Sequence, residues 1–308
     1  MLKKISLKIL IKNYIKAARL RTLPLSLSGV ILGALLALSE EKFEGIIFLW
    51  SIIATLGFQI VSNFANDYGD GVKGTDNLNR IGPSRTIQTG LLTPKQLLNA
   101  LKIAVTLSVI SAITLIYLSF GSKNFVATLI FIVLALASIW AAIKYTMGKN
   151  PYGYSGFGDI FVFLFFGLLG VFGSYFLYTK ALNFEVLLPA CSVGLLSASV
   201  LNLNNMRDYK SDKLSNKRTL VVQIGPKKAK HYHYLLLFLS GVAAVVYAFI
   251  NGKTNASFLF LIAYIPISIH FYTVLKNNNP EKLDPELKKM SIYTLFFSLL
   301  FGLGFVAF

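Results

Sequence analysis

GIIFLWSIIATLGFQIVSNFANDYGDGVKGTD, residues Gly45 to Asp76, is the stretch on which the reading of the whole chain turns. Its first part is apolar for roughly 20 residues, the length that carries a helix across a bilayer core. It then ends abruptly in Asn63, Asn66, Asp67, Asp70 and Asp76. Apolar runs of this kind recur near 22–39, 45–65, 97–118, 123–143, 158–179, 183–203, 232–250, 256–275 and 291–308, joined by short polar connections. The chain has 308 residues, 55% of them hydrophobic, and a mean hydropathy of +0.64. That is more apolar surface than one soluble domain of this length hides. The expectation is an all-α membrane protein of about nine transmembrane helices, a single domain over residues 1–308.

The formal net charge of +17 would suit a nucleic-acid partner only if the basic residues formed one solvated face, and they alternate with apolar runs instead. No nucleic acid is expected. Topology explains the charge. With the amino terminus inside, Lys and Arg crowd into the amino-terminal arm and the loops around 66–96, 144–157, 207–231 and 276–290. Of the 30 basic residues only Lys42, Lys123, Lys180 and Lys253 fall in the opposite turns. This is the positive-inside pattern, and it places the amino terminus and both acidic clusters on the cytoplasmic face of the cell (inner) membrane.

The opening segment, with Lys3, Lys4, Lys8, Lys12, Lys16, Arg19 and Arg21, superficially resembles a signal peptide. Its basic region is too long and the run Thr22 to Ser39 exceeds a signal core, so an uncleaved first helix is expected. The single cysteine, Cys191, lies in an apolar run and has no disulfide partner within the chain. His231, His233 and His270 lack metal-site spacing and read as structural or surface residues.

A second acidic cluster, NLNNMRDYKSDKLSNKRTL from Asn202 to Leu220, follows the sixth apolar run as the first follows the second. Four helices separate them, an even number, so the clusters return to one side and can converge. The echo fits two four-helix repeats plus a ninth helix. Asp208 and Asp212 are spaced i, i+4 and share one helix face. Two like charges there need a cation between them, either a metal ion or Arg207, Lys213, Lys217 and Arg218. The first cluster alone also reads as a solvated loop of turn-forming Asn, Asp and Gly. Taken together, near-membrane acids are costly and mark function. Hard oxygen ligands suit Mg²⁺, which binds through one or two carboxylates plus substrate phosphates. Asn66, Asp67, Asp70, Asp76, Asp208 and Asp212 are the candidate metal ligands. Arg85, Arg207, Lys217 and Arg218 are candidates for phosphate oxygens.

KYTMGKNPYGYSGFGDIFVFLFFG, Lys144 to Gly167, adds Tyr145, Lys149, Tyr152, Tyr154 and Asp159 among five glycines. Tyr145 and Tyr152, with Phe64, Tyr68 and Tyr209, offer aromatic faces to a carbocation; an interfacial tyrosine belt is the alternative. Lys149 and Arg85 are both candidates for holding an acceptor's carboxylate.

These motifs resemble the UbiA superfamily of intramembrane aromatic prenyltransferases over essentially the whole chain. Asn66-Asp67-Tyr68-Gly69-Asp70 resembles the first Asp-rich motif of that family. Arg207-Asp208-Tyr209-Lys210-Ser211-Asp212, with Lys217-Arg218-Thr219, resembles its second. Tyr145 and Lys149 resemble its Tyr and Lys between the fourth and fifth helices. Arg19 to Pro24, the run from Asn66 to Pro94, and Pro151 to Gly167 are most similar to the members that prenylate 1,4-dihydroxy-2-naphthoate in menaquinone synthesis. Many family members carry an acid at the position of Gly74, whereas here Asp76 comes two residues later, an offset shared with the naphthoate subgroup. The resemblance implies a helical bundle with a central cavity and Mg²⁺. It implies a polyprenyl diphosphate donor and a dihydroxynaphthoate acceptor that loses CO₂. It also implies catalytic roles for Asp67, Asp70, Asp208, Asp212, Lys149 and Tyr145, and substrate contacts from Asn63, Arg85, Tyr68, Tyr152, Arg207, Lys217 and Arg218. A relative acting on 4-hydroxybenzoate, homogentisate or a chlorophyllide is the rival enzyme, and a non-catalytic transporter the rival from another class.

Overall fold

A computed structural model describes residues 7–75 and 81–306. Asp76, Lys3 and Lys4 lie outside the described residues. Among those described there is no strand, and nine segments are long and apolar enough to cross a membrane. In chain order the helices are α1 Leu7–Ala18, α2 Leu23–Ser39, α3 Gly45–Val72, α4 Pro94–Phe120 and α5 Phe125–Lys144. They continue with α6 Gly158–Thr179, α7 Leu187–Leu214, α8 Pro226–Asn251, α9 Leu261–Lys276 and α10 Leu283–Val306.

Three differences from the sequence reading bear on the site. First, α3 runs on to Val72 and α7 to Leu214, so both acidic clusters are the last turns of helices, not loops. Continuing the helix keeps the backbone hydrogen-bonded as it leaves the bilayer. Second, α1 is an extra helix. Lys8, Lys12 and Lys16 occupy one stripe and exposed Leu7, Ile11 and Ile15 the next, and Arg19 in the left-handed region (φ 51°) breaks it from α2. Third, α10 begins at Leu283, not 291, because the charged segment before the apolar run has partners: Glu286 accepts from His270 Nδ1 (2.6 Å) and Lys289 (2.7 Å). His270 in turn faces His233 at 3.0 Å, so these two buried histidines form a polar seam joining α8, α9 and α10, whereas His231 is exposed.

The helix carrying the second cluster, α7, is the centre of the bundle. Of its apolar window 72% is buried, against 11% for α5 at the periphery. Helices α6, α8 and α10 pack around α7, while α3 pairs with α4. Small residues allow the closest approaches, since apolar side chains gain nothing by leaving lipid and association relies on backbone proximity. A Cβ on Gly167 would stand 2.6 Å from the Gly194 Cα of α7, and one on Gly29 of α2 2.7 Å from the Phe166 carbonyl oxygen. Over Phe163–Gly173 the turns of α6 widen to π geometry, on the side where it is clasped between α2 and α7. Thr93 opens α4 with a capping box, its hydroxyl accepting from the Gln96 N–H while the Gln96 side chain reaches back to the Thr93 N–H.

Gly167→Val should overpack the α6–α7 contact and destabilise the bundle by about 1–3 kcal/mol. Thermal unfolding of the detergent-solubilised protein measures this. Gly45→Ala, where an added Cβ meets nothing within 4 Å, should leave the transition unchanged.

Candidate active site at the ends of two acidic helices

Asn63, Asn66, Asp67 and Asp70 recur at three- and four-residue spacing and so lie along one side of α3; Asn204, Asp208 and Asp212 do the same on α7. The fold brings these two sides together. Asp70, Thr75, Arg85, Asn204, Asp208, Ser211, Asp212 and Lys217 line a small polar pocket of about 20 Å³, room for one water-sized occupant. Beside it opens a cavity of about 360 Å³. The two share Asp70, Arg85, Asn204 and Lys217 as a common rim. Away from the rim the larger cavity is walled by apolar residues of α2 to α7, among them Leu25, Phe58, Leu115, Phe131, Phe161, Phe165 and Leu169.

Asp70, Asp67 and Asp208 are each held by a different set of donors. The Tyr154 hydroxyl donates to Asp70 Oδ1 (2.8 Å) and the Lys217 ammonium pairs with Oδ2 (3.3 Å). With its proton given to Asp70, Tyr154 accepts from the Thr75 hydroxyl at 2.5 Å. Two ammonium groups, Lys73 and Lys217, lie 4.7 and 5.2 Å from the centre of the Tyr154 ring. Asp67 Oδ2 accepts from the Thr86 hydroxyl (2.6 Å) and amide (3.3 Å), while its buried Oδ1 has no hydrogen-bond partner among the described residues. Asp208 is forked by Arg207, whose Nε and Nη2 donate to its two oxygens at 2.9 and 2.7 Å. Asn63 donates to the Ala18 carbonyl (2.8 Å) and to the Thr22 hydroxyl (3.1 Å), tying α3 to the segment between α1 and α2.

Charge and burial set the protonation of groups just outside the spans. Burial pushes the Tyr154 phenol up, and the Asp70 charge adds to the shift, so it stays a donor. Burial likewise raises Tyr145, reinforced by Asp159, Asp70 and Asp212. Partial burial lowers the Lys73 ammonium below the usual lysine value, with Asp70 opposing the shift and Lys217 adding to it.

Several sequence candidates stand elsewhere. Tyr68 and Phe64 pack into the apolar cluster between α1, α3 and α4, because each is offset around α3 from the side bearing Asn66 and Asp70. Tyr209 packs against the main core. Arg218 and Lys149 are exposed and outside both cavities. Arg207 is fully buried, with its donors directed to Asp208, Asn204 and Asp284 rather than into either cavity. Tyr145 and Tyr152 do line the large cavity. Tyr152 stacks on Phe161 with ring centres 3.9 Å apart and meets Tyr145 edge-on at 5.4 Å. Lys73, Thr75, Thr86 and Tyr154 lay in quoted segments without an assigned role, and Asp284 lay in none of them. The only available signal was the density of polar residues next to the first acidic cluster.

Among the described residues no three His, Cys, Asp or Glu side chains gather closely enough to hold a metal by themselves. The small pocket nevertheless presents hard oxygen donors, from Asp70, Asp208, Asp212 and Asn204, with the orphaned oxygen of Asp67 nearby in sequence. Such a set fits a hard divalent cation that completes its shell with phosphate oxygens.

Comparison with known proteins agrees with this architecture. The model of the UbiA prenyltransferase family matches residues 26–300. The chain is 38% identical to a 1,4-dihydroxy-2-naphthoate octaprenyltransferase of Haemophilus influenzae, covering 96% of both chains. It is 39% identical to the protein of that name from Escherichia coli, over 94% of each. In fold it is similar to a UbiA homolog from Archaeoglobus fulgidus solved with GPP and Mg²⁺, with a TM-score of 0.69, 15% identity, and coverage of 96% of this chain and 100% of the other. The chain belongs to the UbiA prenyltransferase family and is a multi-pass membrane enzyme.

Tyr154→Phe removes a hydrogen bond to a charged carboxylate, worth about 1.5–3 kcal/mol. Steady-state kinetics of prenyl transfer should show kcat/KM reduced about ten-fold or more. The raised Tyr145 phenol remains neutral through the working range. Tyr145→Phe should therefore leave the alkaline side of the pH–rate profile where it is up to about pH 10, the ordinary tyrosine value; a displaced limb would show that Tyr145 titrates there.

Proposed function

We propose that the chain transfers a polyprenyl group from polyprenyl diphosphate to 1,4-dihydroxy-2-naphthoate, releasing CO₂ and diphosphate and giving demethylmenaquinol, the reduced form of demethylmenaquinone. The observation that carries this reading is the polar pocket between the two acidic helix ends, which shares Asp70, Arg85, Asn204 and Lys217 with a larger, mostly apolar cavity. The first has room for a single metal ion, the rim shared by the two would face a diphosphate head, and a prenyl tail fits the second. The names of the relatives at 38% and 39% identity support the acceptor.

Asp70, Asp208 and Asp212 with Asn66 and Asn204 are the residues that would hold Mg²⁺, and Asp67 and Asp76 belong to the same motif. Bound there, the metal neutralises diphosphate charge and makes it a better leaving group. Arg85 and Lys217, on the rim shared by both cavities, are placed to take phosphate oxygens. The allylic C–O bond breaks and its electron pair leaves with the diphosphate. Tyr145, Tyr152 and Phe161 line the cavity as a packed aromatic cluster, which would stabilise the allylic cation and keep water from it. The ring carbon that bears the carboxylate attacks, a C–C bond forms, and the C–CO₂ bond breaks to return its electrons to the ring. With the acceptor ionised, atoms and charge balance without a general base. Arg85 is the candidate for the acceptor's carboxylate that lines the cavity; Lys149 is exposed.

The distribution of Lys and Arg supports a cytoplasmic amino terminus and active site in the cell membrane. A transporter would place its polar clusters near the bilayer midplane at broken helices. Both acidic groups here lie at one end of the bundle, on continuous helices.

Membranes carrying the protein, supplied with Mg²⁺, dihydroxynaphthoate and a series of prenyl diphosphates, should yield a decarboxylated prenyl naphthoquinol identifiable by mass, with one diphosphate per product. 4-Hydroxybenzoate in parallel should give none. Asp208→Asn and Asp212→Asn should each lower turnover by about 10²-fold or more with membrane insertion intact. Full activity in both variants would contradict the site assignment.

A further inference from the structure

Arg207 is the largest of the fully buried side chains, and its hydrogen bonds account for how one acid of the site is held. Its Nε and Nη2 grip the two oxygens of Asp208, and Nη2 also reaches Asn204 Oδ1 at 2.8 Å. The remaining edge points away from the pocket. There Nη1 donates to Asp284 Oδ1 at 2.5 Å, and Arg21 Nη1 approaches the other Asp284 oxygen at 3.3 Å. Asp284 stands in the first turn of α10, on neither acidic helix. Two cations and two anions thus alternate, Arg21, Asp284, Arg207 and Asp208, drawn from the segment before α2, from α10 and from α7.

We propose that Asp284 is a positioning residue for prenyl transfer, sharing the charge of Arg207 so that the Asp208 carboxylate remains aimed and available at the diphosphate pocket. The proposal rests on the diphosphate reading given above.

Arg207 forks both oxygens of Asp208, and without a second counter-ion its whole charge would be set against that one carboxylate. Asp208 would then meet a metal–diphosphate as half of a neutral pair. Asp284 draws off part of the attraction from the opposite edge and fixes the plane of the guanidinium, which orients Asp208 through the two forked hydrogen bonds. Outer partners of this kind change ligand affinity by about 10–100-fold without touching the ligand. The same contact ties α10 to α7 close to Leu287, one turn further along α10, which lines the large cavity.

The readout is protection of the purified full-length protein against heat by Mg²⁺ with inorganic pyrophosphate, titrated to half-maximal effect, beside KM and kcat for the prenyl diphosphate. Asp284→Asn keeps the shape and one acceptor but loses the charge. It should raise the half-maximal concentration and KM about ten-fold while kcat stays within about two-fold. A structural role alone would lower the ligand-free melting temperature and leave the half-maximal concentration unmoved. Asp284→Glu keeps the charge and covers the case in which the Asn variant does not accumulate; it should titrate within about two-fold of wild type. A wild-type midpoint in Asp284→Asn, or a ten-fold rise in Asp284→Glu, overturns the proposal. If the wild-type protein itself gains no protection, the diphosphate reading of the pocket fails, and the role of Asp284 with it.

Discussion

The ion pair between Lys217 and Asp70, 3.3 Å apart and separated by 147 residues of sequence, is the contact on which the site depends. It closes the end of α3 against the segment after α7. A membrane protein that gathers Asp67, Asp70, Asp208 and Asp212 at the end of its bundle must compensate each of them, because acids at a bilayer boundary are costly when left alone. Three of them receive different solutions: Lys217 and Tyr154 for Asp70, Thr86 for Asp67, Arg207 for Asp208. Lys217, Tyr154 and Thr86 come from connecting segments, so Asp70 and Asp67 are held only once the bundle has assembled, whereas Arg207 stands next to Asp208 on α7 itself.

This arrangement separates two solvents within one enclosure. The small pocket is polar and charged, and the adjoining cavity is walled by aromatic and aliphatic side chains. Asp70, Arg85, Asn204 and Lys217 stand on the boundary. A substrate with a charged head and an apolar tail matches that division, and the bond to be broken would fall at the boundary, beside Tyr145 and Tyr152. The close glycine contacts of α6 with α2 and α7 bring this aromatic wall against the second acidic helix.

Much of the fold was legible because crossing a bilayer constrains apolar length so strongly: each expected run coincides with one of the nine spanning segments. The i, i+4 spacing of Asp208 and Asp212 also foretold a shared helix face. What the residues could not convey was direction around a helix or out of a loop. Tyr68 and Arg218 sit beside true rim residues in sequence, yet one turns into the apolar cluster under α1 and the other faces outward. Arg207 read as a phosphate ligand because its charge was visible and its burial was not. Asp284 and Glu286 were hidden for a related reason. A charged segment before an apolar run looks like a loop until its partners, Arg207 and His270, are known from other helices. Helix α1 was missed because its lysine stripe interrupts the hydropathy that marks a span.

The central claim is that the ends of α3 and α7 form one Mg²⁺–diphosphate site rather than two independent acidic patches. A double-mutant cycle on binding of a non-reactive prenyl diphosphate analogue, measured with and without Mg²⁺ for Asp70→Asn, Asp212→Asn and the pair, tests it most directly. The account predicts Mg²⁺-dependent binding in the parent protein, a large loss in either single variant, and little further loss in the double, because both remove the same bound complex. Losses that simply add, or binding indifferent to Mg²⁺, would contradict it.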